Sequence, residues 1–122
     1  MNNDERYQSL NSDRSGQQQR QFFRVEYPSQ FRPSLFHEDE CYEVLDVSEY
    51  GLKFSADDER DFMHGQKLQM ELQFHDKDKY NCMGKVVRLQ DSAIAVNLVT
   101  PLPLPKIRSQ HIFLIGQTVE RR

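Results

Sequence analysis

The chain has 122 residues, a formal net charge of −3 and an isoelectric point near 5.8. This length predicts one domain with a small hydrophobic core, and the slightly acidic charge excludes the broad cationic surface of a general nucleic-acid or polyphosphate binder. No apolar stretch approaches the roughly 20 residues of a membrane helix, and no signal-peptide core follows Met1, so we expect a cytoplasmic protein without membrane insertion.

The N-terminal segment differs in composition from the rest of the chain. Residues 1–19 are polar, contain three consecutive glutamines and offer too little apolar surface to offset the entropy lost on folding, which predicts a flexible tail. Residues 20–122 are then expected to form the folded domain. Residues 1–32 contain five arginines and no lysine, whereas residues 37–61 carry ten acidic groups, so any anion site must be local.

Patterns typical of β-strands occupy most of the expected domain. Phe23, Val25 and Tyr27 alternate with polar residues, and residues 67–74 alternate strictly between polar and apolar side chains. The predicted strand segments are 23–27, 31–36, 41–47, 52–54, 67–74, 80–89 and 93–99. The last three predict an antiparallel meander, and a change of apolar parity near Gly84 predicts a bulge or a barrel corner.

After three prolines the pattern changes to that of a helix beginning at about residue 105. Residues spaced three and four apart define its expected apolar side, namely Ile107, His111, Leu114, Ile115 and Thr118. We expect this helix to pack across the barrel or its mouth. The predicted fold is therefore all-β: a small six-stranded antiparallel β-barrel with a C-terminal helix and a flexible N-terminal arm.

Two short motifs contain the candidate functional residues. RQFFRV at residues 20–25 places two arginines four residues apart, and LDVSEYG at residues 45–51 places an Asp, a Ser and a Gly at a strand end and in its turn. The candidates are Arg20, Arg24, Asp46, Ser48 and Gly51. Each motif alone has an ordinary explanation. The arginines suit a solvated surface, and Asp, Ser and Gly are common turn residues, the Gly because it tolerates positive φ.

In this order and spacing, the two motifs resemble those of the PilZ domain, the bacterial receptor module for cyclic di-GMP. The resemblance runs from about Arg20 to the C-terminal helix, and all five motif positions match. It implies that Arg20 and Arg24 bind phosphate or guanine with their forked guanidinium groups, which lysine cannot imitate. It also implies that Asp46 accepts hydrogen bonds from a guanine edge, that Ser48 bonds a phosphate or backbone oxygen, and that Gly51 lets the backbone approach the ligand.

The resemblance further implies a receptor without enzymatic activity, cofactor or metal. Cyclic di-GMP would be its ligand, and a protein of motility, adhesion or matrix export its partner, with no DNA or RNA bound. We expect an arm containing Arg20 and Arg24 to clamp the dinucleotide against the barrel mouth. Phe22 and Phe23 either anchor that arm into the barrel or stack on a base, and anchoring suits Phe23, which has the parity of the core residues.

Other functions have less support in the sequence. A ligand-independent adaptor could use the same barrel to bind a protein, and an oligonucleotide-binding barrel is disfavoured by the acidic charge. The HEDEC stretch contains potential metal donors but is typical of a solvated turn, and Ser48 has no evident His partner for a hydrolytic triad. Cys41 and Cys82 are too few for a disulfide framework, so we expect free thiols.

Overall fold

The structure is a computed structural model that describes residues 23–120, with side chains described as far as Gln117. The predicted tail of residues 1–19 lies outside the described residues, as do Arg20 and Phe22.

Seven β-strands and one α-helix make up the described part of the chain. The strands are β1 (Arg24–Glu26), β2 (Ser34–His37), β3 (Glu40–Ser48), β4 (Gly51–Ser55), β5 (Lys67–Gln73), β6 (Lys79–Gln90) and β7 (Ala93–Leu98), and the helix is α1 (Leu104–Glu120). Single turns of 3-10 helix, Ser29–Phe31 and Glu59–Asp61, lie in two of the loops. The predicted all-β fold with a C-terminal helix is confirmed.

Six of the strands close into an antiparallel barrel, in the order β3, β2, β5, β6, β7, β4 and back to β3. The long strand β3 makes this closure possible, because its first half pairs with β2 and its second half pairs with β4. Strand β1 lies outside the closed ring and pairs with the last three residues of β3. The end of β3 therefore lies between β1 on one side and β4 on the other.

The barrel interior is filled by the apolar side chains of the one-sided strands. The alternation predicted for residues 67–74 is confirmed, since every second residue there is buried: Leu68, Met70, Leu72 and Phe74. Gly84 lies where β6 passes close to β7. A Cβ atom on Gly84 would lie 2.5 Å from a methyl carbon of Val96 and 2.6 Å from the carbonyl oxygen of Asn97. The close approach of these two strands therefore excludes any side chain at position 84.

The irregularity predicted in β6 is present, but it lies at Val87 rather than at Gly84. The pairing with β7 moves from Val86 opposite Val96 to Arg88 opposite Ala95, which leaves Val87 as an extra residue. A similar shift in β3, opposite β4, leaves Leu45 unpaired. Each bulge reverses the side to which the following residues point.

The buried face of α1 differs in part from the predicted one. Ile107 is fully buried, but His111 and Ile115 are exposed, and Gln110 is buried instead. The physical reason is a buried hydroxyl: Tyr27 of the segment after β1 donates a 2.7 Å hydrogen bond to Oε1 of Gln110. Burial raises the pKa of Tyr27, so the hydroxyl keeps its proton and needs an acceptor on the helix.

Lys106 fastens the start of α1 to the turn between β5 and β6. Its Nζ atom donates to the carboxylate of Asp76 and, at 2.6 Å, to that of Asp78, while its side chain is only 8% exposed. Burial by itself lowers the pKa of Lys106, but the two carboxylates outweigh that effect and raise it overall. The ion pairs hold the helix against the barrel end that contains Phe74.

Leu72→Ala tests the assignment of the core. Leu72 is fully buried on β5, so the truncation leaves a cavity and should lower the free energy of unfolding by about 2–5 kcal/mol. Met83, on the neighbouring strand β6, is 48% exposed, and Met83→Ala should change the free energy by less than about 0.5 kcal/mol. Urea denaturation measures both. Equal, small effects of the two substitutions would contradict the described packing.

Candidate ligand-binding site

A β-bulge determines which way the end of β3 presents its polar side chains. Val44 and Val47 are both fully buried, and regular alternation from Val44 would direct Asp46 into the core as well. The extra residue Leu45 changes the parity, so Asp46 and Ser48 point to the outside of the barrel while Val47 points inward. The sheet can thus place an aspartate and a serine on its outer wall within a strand that otherwise fills the core.

Strand register brings the candidate residues together in two adjacent rows. Arg24, Ser48 and Gly51 are direct neighbours across β1, β3 and β4. Asp46 belongs to the next row, where it lies between Glu26 of β1 and Lys53 of β4. Four of the five predicted residues therefore meet on one patch of the outer wall. The fifth, Arg20, lies outside the described residues.

Asp46 is the electrostatic centre of this patch. Its carboxylate is 3.4 Å from a guanidinium nitrogen of Arg24 and 3.6 Å from the ammonium of Lys53. Burial raises the pKa of Asp46, and the positive charges of Arg24 and Lys53 offset part of that rise. Only 8% of the Asp46 side chain is exposed, whereas each cation is 40% exposed. The two cations therefore stabilise the buried charge and still face solvent.

Ser48 and Gly51 close the turn beside Asp46. The hydroxyl of Ser48 donates a long, 3.4 Å hydrogen bond to the carbonyl oxygen of Gly51. The ordinary turn explanation does not apply to Gly51, since this glycine does not have a positive φ. Its missing side chain matters for space instead: a Cβ atom would lie 3.3 Å from the carbonyl oxygen of Val96 and 3.5 Å from Oγ of Ser48. A side chain at position 51 would crowd the serine and the β7 backbone.

These residues line one end of a groove of about 840 Å³ on the outside of the barrel. The groove crosses β4 and β7 and reaches the hairpin between β6 and β7. Its remaining lining includes Lys53, Arg88, Asp91, Ala93, Ala95 and Asn97. The groove runs across the wall of the closed sheet, so the four described candidate residues lie on this wall and not at the barrel mouth. Its floor is formed by outward-facing residues, whereas the mouth would be lined by strand ends.

Phe23 does not anchor the chain inside the barrel, as its parity with Val25 predicted. It is 41% exposed, and its ring meets that of His111 on α1 edge to face, with the ring centroids 4.8 Å apart. The strand ladder of β1 begins only at Arg24, so the core alternation does not extend back to Phe23. Phe23 therefore contacts the helix and does not line the groove.

The remaining features concern the cysteines, the potential metal donors and the hydropathy of the helix. Cys41 is exposed, Cys82 is buried, and both are free, as predicted. Between residues 23 and 120, no three His, Cys, Asp or Glu side chains are grouped closely enough to share a metal ion. Within that same range, no helix combines the length and hydropathy of a membrane span.

The fold is that of a small β-barrel binding domain, with a closed six-stranded barrel, a groove on its outer wall and a C-terminal helix. The chain belongs to the PilZ domain family. The model of that family, described as "PilZ domain", matches residues 18–116. This range includes both motifs, the barrel and most of α1. PilZ domains are non-enzymatic binding domains, and the family is one of cyclic di-GMP receptors. No curated protein matches the chain.

Solved structures share this fold at low sequence identity. The inhibitor of motility MotI/DgrA of Bacillus subtilis is 12% identical, with a TM-score of 0.57 over 84% of this chain and 52% of its own. YcgR of Escherichia coli, solved in complex with c-di-GMP, is 12% identical, with a TM-score of 0.51 over 83% of this chain and 46% of its own. The uncharacterised Legionella protein Lpg0364 is 16% identical, with a TM-score of 0.50 over 81% of this chain and 97% of its own. The chain thus spans about half the length of MotI and YcgR.

Asp46→Asn tests whether the buried carboxylate is held at a cost to stability. Because burial raises the pKa of Asp46, the folded state disfavours its ionised form, and the neutral amide should increase the free energy of unfolding at neutral pH. The advantage of the variant should shrink as the pH falls and the wild-type carboxyl takes up a proton. Thermal melts from neutral to acidic pH measure the difference.

Asp58→Asn provides a control of opposite sign. Hydrogen bonds from the side chain and backbone of Arg60 lower the pKa of Asp58, so its ionised form is favoured by folding. This substitution should lower stability at neutral pH, and the loss should shrink on acidification. If Asp46→Asn instead lost stability at neutral pH in the manner of Asp58→Asn, the described environment of Asp46 would be wrong.

Proposed function

We propose that this protein is a cyclic di-GMP receptor that binds the dinucleotide in the outer-wall groove and transmits the signal to a protein partner. The observation that supports this most directly is the meeting of Arg24, Asp46, Ser48 and Gly51 in two adjacent rows of one sheet. These residues come from two motifs that are more than twenty positions apart in the chain. Their convergence on a groove next to Lys53 is what a local anion site in an acidic protein requires.

Each side chain has a role that follows from its chemistry. The Arg24 guanidinium, held loosely by Asp46 and partly exposed, can form paired hydrogen bonds with a phosphate or with O6 and N7 of guanine. The Asp46 carboxylate can accept from the N1–H and N2–H groups of a guanine. The weak hydrogen bond of Ser48 to Gly51 leaves its hydroxyl able to turn to a phosphate oxygen. The absent side chain of Gly51 leaves room for the ligand.

Arg20 is proposed to supply a second guanidinium to the same ligand. It precedes Arg24 by four residues, and Arg24 is fixed by the pairing of β1 with the end of β3. A ligand on the outer wall next to Arg24 therefore lies within reach of the segment that leads into β1. In this arrangement the dinucleotide is held between that segment and the turn that contains Ser48 and Gly51.

The proposed protein partner belongs to the machinery of motility, adhesion or matrix export. MotI is named an inhibitor of motility, which supports motility as the first process to test. Affinity capture with the full chain as bait, with and without cyclic di-GMP, identifies a partner that depends on the ligand. A partner captured equally well in both conditions would instead support a ligand-independent adaptor.

Alanine substitutions of the charged motif residues test the site. Arg20→Ala, Arg24→Ala and Asp46→Ala should each weaken cyclic di-GMP binding about ten- to a hundredfold, since each removes a charged hydrogen-bonding partner. Lys67→Ala is a control, because Lys67 is exposed on β5, away from the groove. Isothermal titration calorimetry measures all four variants.

Arg24→Lys separates the geometry of the contact from its charge. The lysine keeps the positive charge but loses the paired donors, so most of the affinity should still be lost. Full affinity in this variant would show that the contact is only electrostatic. Wild-type affinity in all three alanine variants would refute the site, and no binding by the wild type would refute the receptor function.

Hydrogen exchange tests whether the ligand bridges the segment before β1 and the β3–β4 turn. Amides from residue 19 to residue 25 and those from 48 to 51 should gain protection together when cyclic di-GMP binds, because contacts from both sides are needed to offset the ordering entropy of about 1–2 kcal/mol per residue. Exchange followed by mass spectrometry, with and without ligand, gives the comparison. Protection of the turn alone would exclude the bridging arrangement even if binding were retained.

A further inference from the structure

The groove has a second charged end that neither sequence motif includes. Arg88 of β6 lies in the same cross-strand row as Asp46, with Lys53 and Ala95 between them. Three strand-to-strand steps separate Asp46 from Arg88, which corresponds to about 14 Å along the wall. Both residues line the same groove, so a ligand seated in it meets Arg24 and Asp46 at one end and Arg88 at the other.

The direction of the Arg88 side chain depends on the bulge at Val87. Val86 is fully buried, and unbroken alternation along β6 would direct Arg88 inward as well. The extra residue places Arg88 opposite Ala95 on the outer wall. The bulge at Leu45 has the same effect on Asp46. Each of these two bulges therefore directs one charged residue, Asp46 or Arg88, to the outer wall. These two residues lie at the two ends of one row.

The side chain of Arg88 is not paired with a carboxylate, in contrast to those of three other arginines in the described residues. Arg24, Arg32 and Arg60 each pair with a carboxylate, at 3.4, 3.0 and 3.0 Å respectively. Within the described part of the chain, the side chain of Arg88 makes neither an ion pair nor a hydrogen bond, and the residue is exposed. Its five donors are therefore available to a bound anion or to the edge of a base.

Asp91 stands beside this end of the groove in a rigid turn. Asp91 and Ser92 have φ values of 56° and 63°, which is the backbone of a tight two-residue hairpin between β6 and β7. Two hydrogen bonds connect Ser92 to the chain outside the hairpin. The amide of Ser92 donates to Oε1 of Glu59 at 2.9 Å, and the carbonyl oxygen of Ser92 accepts from the amide of Ala56 at 2.9 Å. The Asp91 carboxylate is exposed and lines the groove.

Between the two ends the groove floor is formed by Lys53 of β4 and by small side chains of β7. Ala93 and Ala95 are the outward-facing residues of β7 there, and each lies opposite a residue of β4 and a residue of β6. Methyl groups on a sheet surface leave space for a planar ring to lie against them. A purine base and its ribose can therefore rest on this floor while charged groups at either end bind its polar edge.

We propose that Arg88 and Asp91 form a second half-site, which binds the second guanosine phosphate of cyclic di-GMP. The inference rests on the proposed function, because it concerns the same ligand. Cyclic di-GMP is a ring of two identical halves. A groove that binds both guanines in the same way therefore needs one arginine and one carboxylate at each end. Arg24 with Asp46 provides the first set, and Arg88 with Asp91 provides the second. Asp91 selects guanine at this end, because adenine lacks the two donors that a carboxylate accepts.

Two ligands distinguish this half-site from the first one. Cyclic di-GMP has two guanines, whereas 3′,3′-cyclic GMP–AMP has one guanine and one adenine in the same ring. Asp91→Ala should weaken binding of cyclic di-GMP about tenfold and leave the weaker binding of the mixed ligand within about twofold, because the mixed ligand can keep its guanine at Asp46 and place its adenine at Asp91. Asp46→Ala should weaken binding of both ligands, because Asp46 also positions the guanidinium of Arg24. Calorimetric titration gives the four affinities.

Arg88→Ala should weaken cyclic di-GMP binding about tenfold. Lys85→Ala is the matched control, since Lys85 is an exposed cation on the outer face of the same strand but does not line the groove, and it should stay within about twofold. Wild-type affinity in both Arg88→Ala and Asp91→Ala, with affinity lost in Asp46→Ala, would overturn the second half-site and leave the receptor function intact. No binding by the wild-type protein would overturn the receptor function itself.

Discussion

The structure depends on strand β3, which contributes side chains both to the hydrophobic core and to the candidate site. Its buried valines, Val44 and Val47, belong to the barrel interior, and its polar residues, Asp46 and Ser48, lie on the outer wall. One extra residue, Leu45, reconciles these demands, because it reverses the alternation between the two valines. Barrel closure requires β4 on one side of this segment, and β1 occupies the other side. The same pairing that completes the fold therefore assembles the site.

The charged groups of the site are stabilised without being neutralised by close ion pairing. Asp46 is nearly buried, and its contacts with Arg24 and Lys53 are 3.4 and 3.6 Å long, beyond the usual length of a strong charged hydrogen bond. By contrast, Lys106 is held by two short contacts at the far turn, where it fixes α1. The structural ion pairs are thus tight, and those in the groove are loose. Loose contacts leave the donors of Arg24 and Lys53 able to turn to a ligand at little cost.

The fold and the site differ in how much of them the sequence predicts. Strand β5 was predictable because it is buried on one side only, so its buried residues Leu68, Met70 and Leu72 alternate with polar residues in the sequence. The buried face of α1 was mispredicted because a polar residue, Gln110, is turned inward by its bond to Tyr27, and periodicity of apolar residues cannot show that. The motif residues were found from their spacing and from the family resemblance. The helix face and the groove residues outside the motifs depend on tertiary structure.

Arg88, Lys53 and Asp91 show why part of the groove was missed. Each is an isolated charged residue at a strand position or a turn, and nothing in its local sequence separates it from a solvated surface residue. Only the strand register brings Lys53 and Arg88 to the same row as Asp46, and two bulges set that register. The parity change in β6 was the available signal, but it indicates only the side to which Arg88 points and not its position opposite Ala95.

We expect cyclic di-GMP to bind on the outer wall of the barrel, across β1, β3, β4 and β7. The most direct measurement is the change in amide chemical shifts of the ¹⁵N-labelled full chain on titration with cyclic di-GMP. The largest changes should map to the groove, at Arg24, Ser48, Gly51 and Ala95, with little change on β2 and β5 of the opposite wall. Changes centred on β2 and β5, or no change at saturating ligand, would contradict binding at the groove.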